Sequence, residues 1–110
     1  MSRTVFGCIE AGGTKFVAGI IAGPDDIRAT ARFDTTTPQE TIGATLDWLR
    51  AEQDLHGPLA AIGIASFGPL ELDRQAPNWG HITATTKKGL SNTDFAGRIG
   101  RALDLPVGFD

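Results

Sequence analysis

An α/β fold built on a mixed sheet is what this sequence predicts, and three observations carry that prediction. Three short β-prone runs separated by turn-forming residues open the chain, and a strongly signalled helix start follows at Thr37-Pro38-Gln39-Glu40. After that helix, apolar runs and a second helical pattern alternate up to Asp110. An antiparallel meander followed by alternating helices and strands gives a sheet with helices laid against it.

The first two runs cover residues 5–9 and 16–21, with Glu10-Ala11-Gly12-Gly13-Thr14-Lys15 between them. A Gly-Gly pair between two such runs is a hairpin signal, because glycine accepts the positive φ that tight turns use. Gly23-Pro24-Asp25-Asp26 marks the next turn, and residues 27–34 alternate apolar and polar as a third strand. Thr37 then suits the N-cap, Pro38 the first helical position and Glu40 the far side of a capping box. Ile42, Leu46 and Leu49 fall on one face of a helix predicted to run to about Leu55. Gly57-Pro58 ends it. Residues 59–65 form a near-continuous apolar run, the pattern of a strand buried on both faces. Phe67-Gly68-Pro69 breaks that strand, and a loop leads to Trp79. A short Thr-rich stretch from His81 suits a further strand or hairpin arm. Ser91-Asn92-Thr93-Asp94 predicts the start of a second helix by the same capping logic, with Phe95, Ile99 and Leu103 along its buried side. Residues 105–110 open a last strand.

Composition bounds the function. Hydrophobic residues make up 41% and charged residues 21% of the 110 positions, near the globular averages, which excludes a disordered or collagen-like chain. That length suits one domain, residues 1–110. The net charge is −3 and the Lys and Arg side chains are scattered, so no basic patch is present to draw a nucleic acid. Cys8 is the single cysteine; it can form no disulfide within the chain and reads as a buried structural thiol. The start has neither the length nor the pattern of a signal peptide, and no apolar stretch approaches a membrane span. These features predict a soluble, cytoplasmic protein with no membrane partner. His56 and His81 lack the neighbouring ligands a zinc site needs.

Three segments could carry chemistry. In the Gly12-Gly13-Thr14 turn, backbone N–H groups without a Cβ in the way can approach a phosphate oxygen, and the Thr14 hydroxyl adds a donor. An acidic residue ahead of the glycines, Glu10, can hold a hydrated Mg²⁺. The same residues also make an ordinary hairpin turn. The second segment, running from Ala65 through Gly68 and Pro69 to Asp73, lies at the C-terminal end of an apolar strand, where ligand loops form. The third runs from Trp79 to Asp94 and includes Lys87, Gly89 and Asn92. It groups polar side chains with an aromatic, as sugar recognition requires, and it equally suits a polar loop before a helix cap.

Together these segments resemble the ROK family of sugar kinases and regulators, and in particular its fructokinase branch. The resemblance rests on Ile9-Glu10-Ala11-Gly12-Gly13-Thr14-Lys15-Phe16, on Thr35 to Thr41, and on Ala65-Ser66-Phe67-Gly68-Pro69-Leu70 with Asp73. Gly80-His81-Ile82-Thr83, Gly89-Leu90-Ser91-Asn92-Thr93-Asp94 and the closing Val107-Gly108-Phe109-Asp110 extend it. It implies the N-terminal lobe of an actin-like ATPase (ribonuclease H-like) fold. It also implies ATP-dependent phosphorylation of a hexose, most simply fructose, with Mg²⁺. Glu10, Gly12, Gly13, Thr14 and Lys15 would face ATP. Gly68, Pro69, Lys87, Gly89, Asn92 and Asp94 would face the sugar. Glu10 stands where most relatives carry Asp, Leu90 where the family usually has Trp, and Lys88 where the branch tends to have Pro. The resemblance places the general base just past Asp110, so that no catalytic residue is assigned within the chain. It places the zinc cluster, the second phosphate loop and the adenine pocket in a C-terminal lobe, and a homodimer is implied for the full-length protein. This chain alone is therefore expected to be inactive. The alternatives are a sugar-responsive regulator of the same family, which would carry a DNA-binding domain ahead of the phosphate loop, and a stand-alone sugar- or phosphate-binding module.

Overall fold

The structure, a computed structural model, describes residues 4–68, 70–83 and 93–110. The meander is present: β1 (Val5–Ala11), β2 (Lys15–Gly23) and β3 (Asp26–Asp34) pair antiparallel in sequence. Helix α1 (Pro38–His56) follows, then β4 (Leu59–Ser66), a two-stranded ribbon of β5 (His81–Ile82) and β6 (Thr93–Asp94), helix α2 (Phe95–Leu103) and β7 (Val107–Phe109). The main sheet has the order β3-β2-β1-β4-β7, with β4 parallel to both β1 and β7.

Helix α1 begins as its sequence dictates. The Glu40 N–H donates to the Thr37 hydroxyl oxygen at 3.2 Å, and that hydroxyl donates to the Glu40 carboxylate at 3.0 Å. The helix stops at Gly57, whose φ of 91° only glycine adopts without strain. Ile42, Leu46 and Leu49 are buried as predicted, and so are Thr41 and Thr45. Those two threonines are satisfied locally: Thr45 donates to the Thr41 carbonyl, and Thr41 donates to the Asp34 carbonyl while accepting from the Thr36 N–H. Both helices lie against one face of the sheet. Phe16, Ile20, Ile42, Leu49, Ile62, Phe95 and Ile99 fill the space between, all fully enclosed.

Three expectations need correction. The strand β4 is buried on one face only; Ala60, Gly63 and Ala65 are exposed, and Leu59, Ile62 and Ile64 alone reach the core. The run looks uniformly apolar because its outward positions are small rather than polar. Cys8 is half-buried on that same outer face, not enclosed; partial burial still pushes its thiol pKa up, against a smaller opposing effect of the hydrogen bond with the Gly19 backbone. The start of α2 also differs. Phe95 is its first residue, Asp94 makes no side-chain cap bond, and Ser91 and Asn92 lie outside the described residues. A distant acceptor does the capping: the Gly80 carbonyl takes the N–H groups of Phe95 (3.2 Å) and Ala96 (3.1 Å). Gly80 has φ 86°, and a Cβ there would sit 2.8 Å from that of Ala96, so both its conformation and its space demand glycine.

Candidate functional site

The parallel strands β1, β4 and β7 end side by side. Ala11 is in register with Ser66, and Ile64 with Phe109. Backbone bonds continue this alignment past the strands: Phe67 N–H donates to the Ala11 carbonyl at 3.0 Å, and Ser66 N–H to the Asp110 carbonyl at 2.8 Å. The glycine turn, the 66–68 segment and Asp110 therefore meet at one edge of the sheet. Carboxyl ends of parallel strands are where α/β sheets bind ligands.

The turn itself is closed by the Gly12 N–H donating to the Lys15 carbonyl at 2.8 Å. A Cβ on Gly12 would lie 2.9 Å from that same oxygen. Gly12 is thus required by close approach, and the positive-φ glycines among the described residues are instead Gly57 and Gly80. Thr35 fastens the turn from outside: its N–H donates to the Thr14 carbonyl at 2.9 Å and its hydroxyl to the Gly12 carbonyl at 2.9 Å. The carbonyls of Gly12, Thr14 and Lys15 are all engaged within the protein. The N–H groups of Gly13 and Thr14 and the Thr14 hydroxyl make no hydrogen bond to the described residues. A turn whose acceptors are occupied and whose donors meet no acceptor among the described residues suits an anion.

Lys15 is engaged by a neighbouring strand. Its ammonium pairs with Asp34 at the end of β3, and both side chains are exposed. The hydrogen bond from Lys15, and then its charge, hold the Asp34 carboxyl below the usual carboxylate range. Glu10 is exposed on the outer sheet face next to the strand end. With Asp110 it lines a broad open trough of about 660 Å³, whose floor is Cys8, Gly19, Gly63 and Gly108.

The sugar-side residues are only partly brought together. Gly68 is exposed at the strand edge. Pro69, Lys87, Gly89 and Asn92 lie outside the described residues. Asp94 sits in β6 opposite His81; its carboxylate accepts from Arg101 at 2.8 Å and approaches His81 Nε2 at 3.7 Å. Trp79 is not an open platform for a sugar ring, because the Arg74 guanidinium lies 4.5 Å from its ring centroid and Phe109 meets it edge-on. Sequence reasoning did not single out Arg74; its contacts are non-local and leave no spacing signal. Among the described residues no three His, Cys, Asp or Glu side chains converge as a metal site. No described helix is long and apolar enough to cross a membrane.

A meander continued by parallel strands, with helices on one face, has the form of one lobe of an actin-like ATPase fold, and comparison with known proteins agrees. A ROK family model matches residues 6–110, and the chain belongs to that family. It is similar to a fructokinase of Zymomonas mobilis subsp. mobilis, 42% identical over a stretch that covers 98% of this chain and 36% of that protein. A fructokinase of Lactococcus lactis subsp. cremoris is 41% identical, with 94% and 34% covered. The chain spans about a third of the length of these curated relatives. In fold, it is similar to a ROK family glucokinase from Streptomyces griseus, solved in complex with glucose and AMPPNP. That likeness has a TM-score of 0.77 at 20% identity and covers 96% of this chain and 32% of the other.

Proposed function

We propose that residues 1–110 form the N-terminal lobe of an ATP:hexose phosphotransferase of the fructokinase type. The observation that carries this reading is the meeting of the glycine turn, the 66–68 segment and Asp110 at one strand-end edge. Identity of 42% and 41% to proteins named fructokinases supports the hexose class.

Phosphoryl transfer depends on holding the phosphates and the attacking hydroxyl in place and on stabilising charge. In this lobe the Gly13 and Thr14 N–H groups and the Thr14 hydroxyl would take phosphate oxygens. The Gly12 N–H is closed into the turn and Lys15 is held by Asp34, so neither is a primary phosphate donor. Gly68 would border the hexose. Asp94 would act by shaping the sugar loop through Arg101 and His81. Mg²⁺ suits the donor set at this edge, since Glu10 is an exposed hard-oxygen ligand beside the turn. When bound it would neutralise phosphate charge. No comparable donor set for zinc exists among the described residues. The general base is expected past Asp110, and a homodimeric, cytoplasmic enzyme is the setting this reading implies.

The test is a coupled ADP-release assay with fructose, mannose and glucose, run on the complete product of the gene and on residues 1–110. Turnover is expected from the former, greatest with fructose, and none from the latter. Turnover by residues 1–110 at an ordinary kinase rate of roughly 1–100 s⁻¹ would show that the machinery has been misplaced.

A further inference from the structure

We propose that Arg74 and Trp79 form a clamp that fixes the chain where it leaves β7, and that they are positioning residues for phosphotransfer acting through Phe109 and Asp110. The catalytic half of this proposal rests on the function proposed above; the geometric half does not.

The strand β7 is poorly secured by its own ladder. It has three residues, lies at the sheet edge and pairs with β4 alone. Short edge strands open locally at little cost. The structure adds ties from outside the sheet. The segment from Glu71 to His81 closes on itself, with the Glu71 N–H donating to the His81 carbonyl at 3.1 Å and the Gly80 N–H to the Glu71 carbonyl at 3.0 Å. Turns at Ala76 and Trp79 stiffen it further. From this closed loop Arg74 Nη2 donates to the Val107 carbonyl at 3.0 Å. The same guanidinium covers the Trp79 ring.

Trp79 and Phe95 hold Phe109 between them. Trp79 meets it edge-on with centroids 6.2 Å apart, and Phe95 does the same at 6.2 Å. Phe95 in turn packs on Phe16, the second residue of β2, at 5.5 Å. One aromatic chain therefore links the strand leaving the glycine turn, the first residue of α2 and the last residue of β7. The next residue, Asp110, has its backbone fixed on both sides: its N–H donates to Ile64 at 2.9 Å and its carbonyl accepts from Ser66 at 2.8 Å. The direction of the chain into the strand-end edge is set by these contacts.

Arg74 is exposed, and exposed charged contacts add little to global stability. Removing the clamp should therefore loosen β7 without unfolding the lobe. A loosened strand end misplaces whatever it presents to the site, and misplacement of about 1 Å can cost up to about a hundredfold in rate.

The experiment uses the complete gene product and four variants, Arg74→Ala, Arg74→Lys, Trp79→Leu and Trp79→Phe. Hydrogen exchange of the segment containing residues 107–110, thermal midpoints and steady-state kinetics with ATP and fructose are measured together. For Arg74→Ala and Trp79→Leu, exchange of that segment and kcat should change about tenfold in opposite directions, with each KM within about twofold. The midpoint of Arg74→Ala should barely move, whereas Trp79→Leu, which thins a ring packed against the core, should lower it modestly. Trp79→Phe keeps the edge-on ring and should restore most of the rate; Arg74→Lys keeps the charge without the planar stack and should restore part of it. Unchanged exchange overturns the clamp. Raised exchange with unchanged kcat overturns the positioning role, as does a rate loss that merely follows a fall in thermal midpoint. A wild-type product with no phosphotransfer overturns the proposed function and the catalytic half together, while the exchange measurement still decides whether the clamp fixes β7.

Discussion

The inner and outer faces of the five-stranded sheet use the same strands and differ in how far their side chains are covered. Toward the helices stand Phe16, Ile20, Ile62 and Ile64, each no more than 3% exposed. Outward, Cys8, Gly19, Gly63, Ala65 and Gly108 lie along the open trough, with Glu10, Val17, Ile21, Ile27 and Thr30 beside them. The larger apolar side chains of the outer face are left exposed, Ile27 at 64% and Phe6 at 38%, so that face buries little surface and makes few dispersion contacts. Nearly all the packing energy of the lobe is therefore on the helix side. The strand-end edge, where the candidate site lies, is loaded by neither face and can serve binding without carrying the fold.

The largest test of that division is Phe95→Ala. The ring is fully buried between Phe16 and Phe109, and truncating such a side chain costs about 3–5 kcal/mol. Chemical denaturation should show a loss of that size, or no folded state at all. A loss below about 1 kcal/mol would break the claim that the inner face carries the stability.

A matched pair of glycines sharpens it. On the inner face, a Cβ at Gly7 would lie 2.4 Å from Ile62 Cδ1, 3.1 Å from Leu59 Cδ1 and 3.4 Å from Leu49 Cδ2. Gly7→Ala should overpack that point at about 1–3 kcal/mol, offset in part because the Ile62 end can swing aside. On the outer face a Cβ at Gly63 meets nothing within 4 Å, and Gly63→Ala should stay within about 0.5 kcal/mol. The same two variants in the complete gene product ask a further question. A cost at Gly63 that rises there to match Gly7 would mean that another layer covers the outer face.

These contrasts also mark what the amino-acid sequence made legible. Local chemistry was readable: Thr37, Pro38 and Glu40 fixed the start of α1, and alternation fixed β3. The two faces of β4 were not separable, because Ala and Gly score as apolar beside Ile and Leu while only their size distinguishes in from out. The start of α2 was placed on Ser91 to Asp94, since a capping pattern is a local signal. The acceptor is the Gly80 carbonyl, brought there by a loop that closes through Glu71. At the site, the glycine turn was readable as a pattern, but the pairing of Lys15 with Asp34 across β2 and β3 depends on strand register. Trp79 read as a sugar platform because nothing in its neighbourhood shows that Arg74 and Phe109 take up its ring.

At the strand-end edge, Thr14→Val separates binding from folding. The Thr14 side chain is exposed and makes no hydrogen bond to the described residues, so the thermal midpoint of residues 1–110 should not move. In the complete gene product the lost hydroxyl should cost about 1.5–3 kcal/mol against a charged phosphate, a tenfold or greater fall in kcat/KM for ATP. Fructose KM should hold. Unchanged ATP kinetics would remove Thr14 from the site and leave the turn as a structural hairpin.

The smallest effect is expected from the ion pair beside that turn. The Lys15 ammonium, by its hydrogen bond and then by its charge, holds the Asp34 carboxyl below the usual carboxylate range. A carboxyl depressed in the folded state stabilises it above the unfolded value of about 3.9, and the contribution is lost as pH falls through the folded value. Both side chains are more than half exposed, so water and salt screen the pair and its contribution is slight. Asp34→Asn should therefore lower the thermal midpoint a little at neutral pH and low salt. The difference from wild type should shrink as pH falls below the carboxylate range, and in about 1 M salt, where charges are screened within about 3 Å. ATP provides the sharper reading. If Lys15 leaves Asp34 for a phosphate, the complete gene product with Asp34→Asn should bind ATP as tightly as wild type or more so, because no ion pair has to break. Weaker ATP binding by that variant would instead mean that the pair holds the turn in its binding shape, and the edge would then depend on β3 more than the division between packing and binding allows.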